Sequence, residues 1–157
     1  LLGPEDSSPD GISLAEINEW NRSSDLKYLG FATDVRPYIS ACHVYVLPSY
    51  HEGMPRTVLE AMAIGRPIIT TDAPGCRETV TLTRKGRLQK ARGESLMEGE
   101  NGFLISVKNP RALSLAMQQF IEEPALIQSM GKRSLQIVGD KFDVKKVNIA
   151  MINAIGL

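Results

Sequence analysis

The sequence predicts an α/β fold: an open parallel sheet flanked by helices, with a helical C-terminus. Three observations carry this. Short apolar runs alternate with amphipathic stretches through the first two thirds of the chain, the pattern of strands and helices taking turns. The run at 43–47 (HVYVL) is apolar and rich in β-branched residues, as expected for a buried parallel strand, and 67–71 (PIITT) reads as the next strand. After Asn109-Pro110, apolar residues recur only at helical spacing.

The elements follow in order. Residues 1–4 read as the end of a strand running into a loop, and a chain that opens on Leu1-Leu2 rather than Met reads as a piece of a longer protein. Ser13 is placed to cap a helix over 14–20, with Glu16 at the capping-box position. A strand is expected over 26–31. Asp34 then caps a short helix through Ala41, with Pro37 in its first turn, where proline is tolerated. The strand at 43–47 is followed by a loop over 48–54. Pro55 opens a helix through Ile64, and Gly65 closes it. Strands are expected at 67–71 and 102–107. Three apolar stripes then read as core-facing helices: Leu113, Met117, Phe120 and Ile121; Leu126, Ile127, Met130, Leu135 and Val138; and Val144, Val147, Met151 and Ile152.

Residues 81–98 break this rhythm. Arg84, Lys85, Arg87, Lys90 and Arg92 precede Glu94, Glu98 and Glu100, with few large apolar residues between. The segment reads as a mobile surface insertion. The alternative is a basic patch for an anionic membrane surface or a phosphate-bearing acceptor.

Length and composition bound the function. The 157 residues suit one domain, 1–157, able to bury roughly 70% of its unfolded surface. Eighteen Lys plus Arg balance eighteen Asp plus Glu, so overall charge gives no reason to expect nucleic acid as a partner. Cys42 and Cys76 have no metal-type spacing, and two lone thiols fit a reducing compartment, a single disulfide being the alternative. No apolar run reaches the length of a membrane span and no secretory leader is visible. The location expected is therefore cytoplasmic, with peripheral contact at the inner face of a membrane where the basic segment meets it.

The chemistry concentrates at 48–63. There a strand ends, an acidic loop turns, and a helix begins. In open α/β sheets ligands bind beyond the carboxyl ends of the strands. The start of the helix offers unpaired N–H groups and a positive dipole end, suited to a diphosphate or an anionic leaving group. Gly53 lets the backbone approach a ligand. Glu52 in the loop and Glu60 on the helix, seven residues between them, are pure acceptors suited to vicinal hydroxyls of a ribose or hexose. By themselves two glutamates at this spacing are equally a loop and a helix-surface residue.

The residues Asp34-Val35, Val46-Leu47-Pro48-Ser49, Glu52-Gly53-Met54-Pro55, Leu59-Glu60-Ala61-Met62-Ala63, Gly65-Arg66-Pro67-Ile68-Ile69, Asp72, Pro74-Gly75-Cys76-Arg77-Glu78 and Glu100-Asn101-Gly102-Phe103-Leu104 stand in this order. The series closely resembles the C-terminal, donor-binding domain of family 4 retaining glycosyltransferases. The resemblance implies a Rossmann-like domain forming the C-terminal half of a GT-B enzyme. It implies that Glu52 contacts the donor sugar near the reaction centre and that Glu60 holds the ribose. Gly53, Met54 and Pro55 would cradle the sugar and diphosphate, although Pro55 has no N–H to give, and Gly30 and Phe31 would lie near the base. The reaction implied is transfer from a nucleotide sugar, a UDP-sugar favoured, with retention at the anomeric carbon. The acceptor would be a saccharide or a lipid-linked acceptor, selected by an N-terminal domain, in polysaccharide or glycolipid biosynthesis. No metal or other cofactor is expected, and no Asp-x-Asp pair is present.

Two departures from the family pattern stand out. The strand and helix that supply an Arg and a Lys to the pyrophosphate would lie before Leu1, so this chain alone is expected to be inactive. Roughly sixteen extra residues separate Arg77-Glu78-Thr79-Val80 from Glu100-Asn101-Gly102. Among the remaining residues, His51 is either solvated or a contact to donor phosphate or sugar, and His43 reads as structural. Arg77 and Glu78 either face the cleft or close a local salt bridge. Arg56 stands where a helix start disfavours a cation, which suggests a specific partner. The rival readings are half of a nucleotide-sugar epimerase and a non-catalytic nucleotide-sugar-binding module.

Overall fold

Ser13 starts helix α1 (Leu14–Ser23) with the capping box in place: its hydroxyl accepts from the Glu16 amide while the Glu16 carboxylate accepts from the Ser13 amide. This helix belongs to the first of two compact units, residues 1–35; the second runs from Arg36 onward. The computed structural model describes residues 1–5 and 11–156. The single domain expected over 1–157 is thus divided. Within the first unit the strand expected over 26–31 does not form. The segment is extended and bonds to the chain's first residues, Leu29 N–H donating to Leu1 O at 2.8 Å and Gly3 N–H to Gly30 O at 2.9 Å. Gly30 adopts φ +72°, which breaks the ladder after these bonds.

The second unit is built on a four-stranded sheet of order β1-β2-β4-β3, with β1 (Tyr45–Leu47), β2 (Ile68–Thr71), β3 (Leu96–Glu98) and β4 (Gly102–Ile105). β1, β2 and β4 are parallel: Val46 pairs with Ile69, and Ile69 with Phe103. The helices are α2 (Arg36–Ala41), α3 (Arg56–Ala63), α4 (Arg84–Ala91), α5 (Pro110–Glu122), α6 (Ala125–Lys141) and α7 (Val144–Ile155). β2 and β4 are wholly buried, as central strands of the sheet, β4 apolar throughout and β2 ending in two buried threonines. β1, expected to be buried, is only half-covered because it is an edge strand. His43, expected to be structural, lies before β1 and is exposed.

The core joins Ile69, Phe103 and Ile105 of the sheet to Ala112, Ala116 and Phe120 of α5 and Met130 of α6. Phe103 and Phe120 meet edge to face, centroids 5.4 Å apart. Each such ring contributes about 1.5–3 kcal/mol by burial. The buried stripe of α5 is therefore Ala112, Ala116 and Phe120, and Met117 and Ile121 of the expected stripe face outward. Small alanines let the helix sit close on the sheet. On α6 the buried face is Met130, Gly131, Ser134 and Ile137, while Leu135 of the expected stripe is exposed. No residue of α7 is buried, so its apolar stripe finds no core in this chain.

Residues 81–98, expected to be a mobile loop, are a helix and a strand. Thr83 caps α4 through its hydroxyl, and β3 runs antiparallel along β4, Met97 opposite Leu104. Met97 of β3 is fully buried and Leu96 packs against the core, while close backbone contact and polar bonds hold α4 on that strand. At Gly86 any Cβ would stand 1.9 Å from Glu98 O, so only glycine lets α4 lie this close on β3. Gln89 accepts from the Glu98 amide at 3.0 Å. Asn101, fully buried, donates to Thr79 O at 2.9 Å and accepts from Thr81 N–H at 3.1 Å, fixing the chain as it enters the arm.

Candidate functional site

Two threonines of β2 shape the exit of β1. Thr70 and Thr71 are buried, and a buried hydroxyl needs an acceptor. Thr70 Oγ1 donates to Leu47 O at 2.8 Å, and Thr71 Oγ1 donates to Ser49 O. These bonds turn the chain into the acidic loop at 48–54. Their signal in the sequence was a pair of hydroxyls closing an apolar strand, and the sequence reading missed it.

The tip of the loop is set by the turn after β2. Glu52 N–H donates to Pro74 O at 3.3 Å. Gly75, at φ +78°, packs so closely that a Cβ there would stand 2.3 Å from Glu52 O and 2.6 Å from Gly53 O. Two strand-end turns thus support each other backbone to backbone. Pro55 is the buried N-cap of α3, and no side chain caps that helix; Val58 N–H donates to Pro55 O at 3.0 Å, and the amides of Arg56 and Thr57 have no partner among the described residues.

Glu52, half-buried, and Glu60, exposed, flank this entrance, and neither carboxylate has a hydrogen-bond or ion-pair partner among the described residues. Tyr45 brings them into one neighbourhood. Burial pushes its phenol above the usual tyrosine range, a hydrogen bond with Thr57 works against that, and the charges of Glu60 and then Glu52 push the same way as burial. Tyr45 was not singled out in the sequence, where it reads only as a strand residue. Gly53, Met54, His51 and Arg56 are exposed around the same loop, and the side chains of His51 and Arg56 have no partner among the described residues. Gly30 and the exposed Phe31 belong to the first unit.

Arg77 takes the local ion pair, with Asp72 rather than Glu78. Its Nε lies 3.0 Å from Asp72 Oδ1 and its Nη2 donates to Asp72 O at 2.8 Å, leaving Nη1 without a partner. Lys90 of α4 reaches the same carboxylate at 2.9 Å. Two cations on one carboxylate leave a net positive charge just past the end of β2. Cys42 and Cys76 are both free. Burial raises the Cys42 thiol, and the Arg66 guanidinium opposes it. Among the described residues no three His, Cys, Asp or Glu side chains form a metal-ligand group. No helix among them is long and apolar enough to cross a membrane.

The acidic loop and the uncapped start of α3 stand at the carboxyl end of the parallel strands, where open α/β sheets bind ligands. The family of group 1 glycosyl transferases matches residues 2–123. The chain belongs to that family and forms a C-terminal domain of the GT-B architecture. Among similar proteins, the N,N'-diacetylbacillosaminyl-diphospho-undecaprenol alpha-1,3-N-acetylgalactosaminyltransferase of Campylobacter jejuni is 30% identical over 87% of this chain and 31% of its own length. The sucrose-phosphate synthase of Thermosynechococcus elongatus superposes with a TM-score of 0.72 at 26% identity, over 98% of this chain and 36% of that one. Anabaena HepE, solved with UDP and glucose, superposes at 0.70 and 23% identity, over 90% of this chain and 34% of that one, a likeness of fold alone. The chain spans about a third of the length of the curated relatives it matches.

Proposed function

We propose that this domain binds the nucleotide-sugar donor of a retaining glycosyltransferase, with a UDP-sugar as the favoured donor. The observation that carries the reading is the pair Glu52 and Glu60, carboxylates without a hydrogen-bond or ion-pair partner among the described residues, in the loop before α3 and on α3, a helix with no side-chain cap. Glu60 accepts hydrogen bonds from the ribose diol. Glu52 faces the donor sugar near its anomeric carbon. The amides at Gly53, Met54 and the first turn of α3 receive the diphosphate, whose negative charge grows as the glycosidic bond breaks; oriented amides there stabilise it in place of a metal ion. The free Nη1 of Arg77 and the imidazole of His51 are further phosphate contacts. Pro55 sets the start of α3 without donating.

UDP in the Anabaena structure supports the choice of nucleotide. The diphospho-undecaprenol in the name of the Campylobacter relative supports a lipid-linked acceptor, with a saccharide as the other class. The whole enzyme, with an N-terminal domain that selects the acceptor, would serve polysaccharide or glycolipid biosynthesis on the cytoplasmic side of the membrane.

The test is ligand-observed NMR on this chain with a panel of nucleotide sugars and free nucleotides. Saturation transfer to the ribose of a UDP-sugar, abolished by Glu60→Ala, is the expected result. Silence at millimolar ligand, where binding is worth about 4 kcal/mol, followed by silence once upstream residues are restored, would overturn the site. Interconversion of two nucleotide sugars without acceptor by the longer protein would mark an epimerase instead.

A further inference from the structure

The two sides of α4 differ completely. Every inward residue is engaged. Lys85 meets Glu98 at 2.6 Å, Gly86 lies against Glu98 O, Gln89 accepts from the Glu98 amide, and Lys90 pairs with Asp72. The outward residues Arg84, Arg87, Leu88 and Ala91 recur at helical spacing and are all exposed. Neither Arg84 nor Arg87 has a partner among the described residues. Arg92 flanks the stripe, 3.8 Å from Glu94, and the helix contains no acidic residue. The inner cations are neutralised within the fold, and the outer ones are not. The formal charge of the whole chain is zero, so this is a local field on a rigid support.

We propose that the outward stripe of α4 docks on an anionic lipid bilayer. Arg84 and Arg87 supply the attraction to the lipid phosphates. Leu88, 52% exposed and one turn on from Arg84, supplies apolar depth that a soluble polyanion has no use for. The helix is already folded and fastened from beneath, so docking orders nothing new. Through Lys90 and Asp72 the face is tied to the strand end from which the Pro74-Gly75 turn reaches Glu52. The docking stands or falls independently of which donor the candidate site takes.

The experiment is flotation of the chain with vesicles, mixed phosphatidylglycerol and phosphatidylcholine against phosphatidylcholine alone. Binding is expected to the mixed vesicles only and to weaken with salt. Arg84→Gln/Arg87→Gln should lower partitioning by about tenfold or more. Leu88→Ser should lower it severalfold while leaving any binding to soluble tripolyphosphate unchanged. All three positions are exposed, and an unchanged melting transition would verify that the variants fold. α7 offers a competing apolar face, so Ile149→Ser/Met151→Ser is the control and should leave partitioning unaltered. Equal binding to both vesicle types, indifference to the double arginine change or to Leu88→Ser, or loss through the α7 variant would each overturn the proposal.

Discussion

The sheet has two edges, and they are finished in opposite ways. At one, β1 is three residues long and half-covered, and its exit carries unpaired carboxylates and an uncapped helix start. At the other, the 81–98 arm covers β4 with an antiparallel strand and fastens nearly every inward polar group. Both edges bury apolar side chains, Val46 of β1 partly and Met97 of β3 wholly. Both rely on a glycine that admits backbone to backbone contact, Gly75 at the acidic loop and Gly86 in the arm. The contrast is in what is left over: the open edge keeps acceptors free for a ligand, and the closed edge consumes them.

The comparison can be broken most severely at the closed edge. Gly86→Ala places a Cβ 1.9 Å from Glu98 O and should cost about 3 kcal/mol, at the upper end for overpacking, read as a lower urea midpoint. Asn101→Ala strips partners from Thr79 O and Thr81 N–H, and each buried group so orphaned costs about 1–3 kcal/mol; equilibrium unfolding should show a loss near 2 kcal/mol. At the open edge Gly75→Ala should do less to stability, about 1–2 kcal/mol, because the loop it displaces is exposed and can yield. Its main effect should be loss of nucleotide-sugar binding at a well-folded chain, measured by titration calorimetry.

Tyr45→Phe is the mildest change. At pH 8 it should cost about 1 kcal/mol through the lost Thr57 hydrogen bond. The folded phenol titrates above its unfolded value, so the stability it contributes is complete below the unfolded value and declines as pH rises through the folded one. The gap between wild type and variant should therefore narrow above about pH 10, the ordinary tyrosine value, in urea titrations.

Much of the fold was legible because periodicity and punctuation agree. Ser13 with Glu16, Pro55 with Gly65, and Asn109 with Pro110 each marked a helix boundary that the structure contains. The arm at 81–98 was not legible, because its cohesion comes from Gly86, Gln89 and Asn101, whose roles appear only once β3 lies beside β4. The faces of α5 and α6 were misread for a related reason: alanine, glycine and serine sit inside, and larger residues such as Ile121 and Leu135 sit outside, so hydrophobicity alone pointed to the wrong side. At the candidate site Glu52 and Glu60 could be picked out by the strand-loop-helix context and the family resemblance, since their spacing alone equally suits a loop and a helix-surface residue. Thr70 and Thr71 left only a pair of hydroxyls closing β2 as a signal, and Tyr45 left none, because the groups a strand's polar side chain meets appear only once β1 and β2 are paired.

The arm leaves and returns at one place. Glu100 N–H donates to Thr81 O at 2.7 Å, and Leu82 bridges Gly99. Its excision would therefore spare the parallel pairing of β1, β2 and β4, and a short turn could splice the ends. It would also strip β4 of its neighbour and leave a row of unsatisfied amides and carbonyls along a wholly apolar strand, the template on which chains add to one another edge to edge. An ancestor without the arm would have needed some other guard against self-association, and a shortened chain made in the laboratory would need one too.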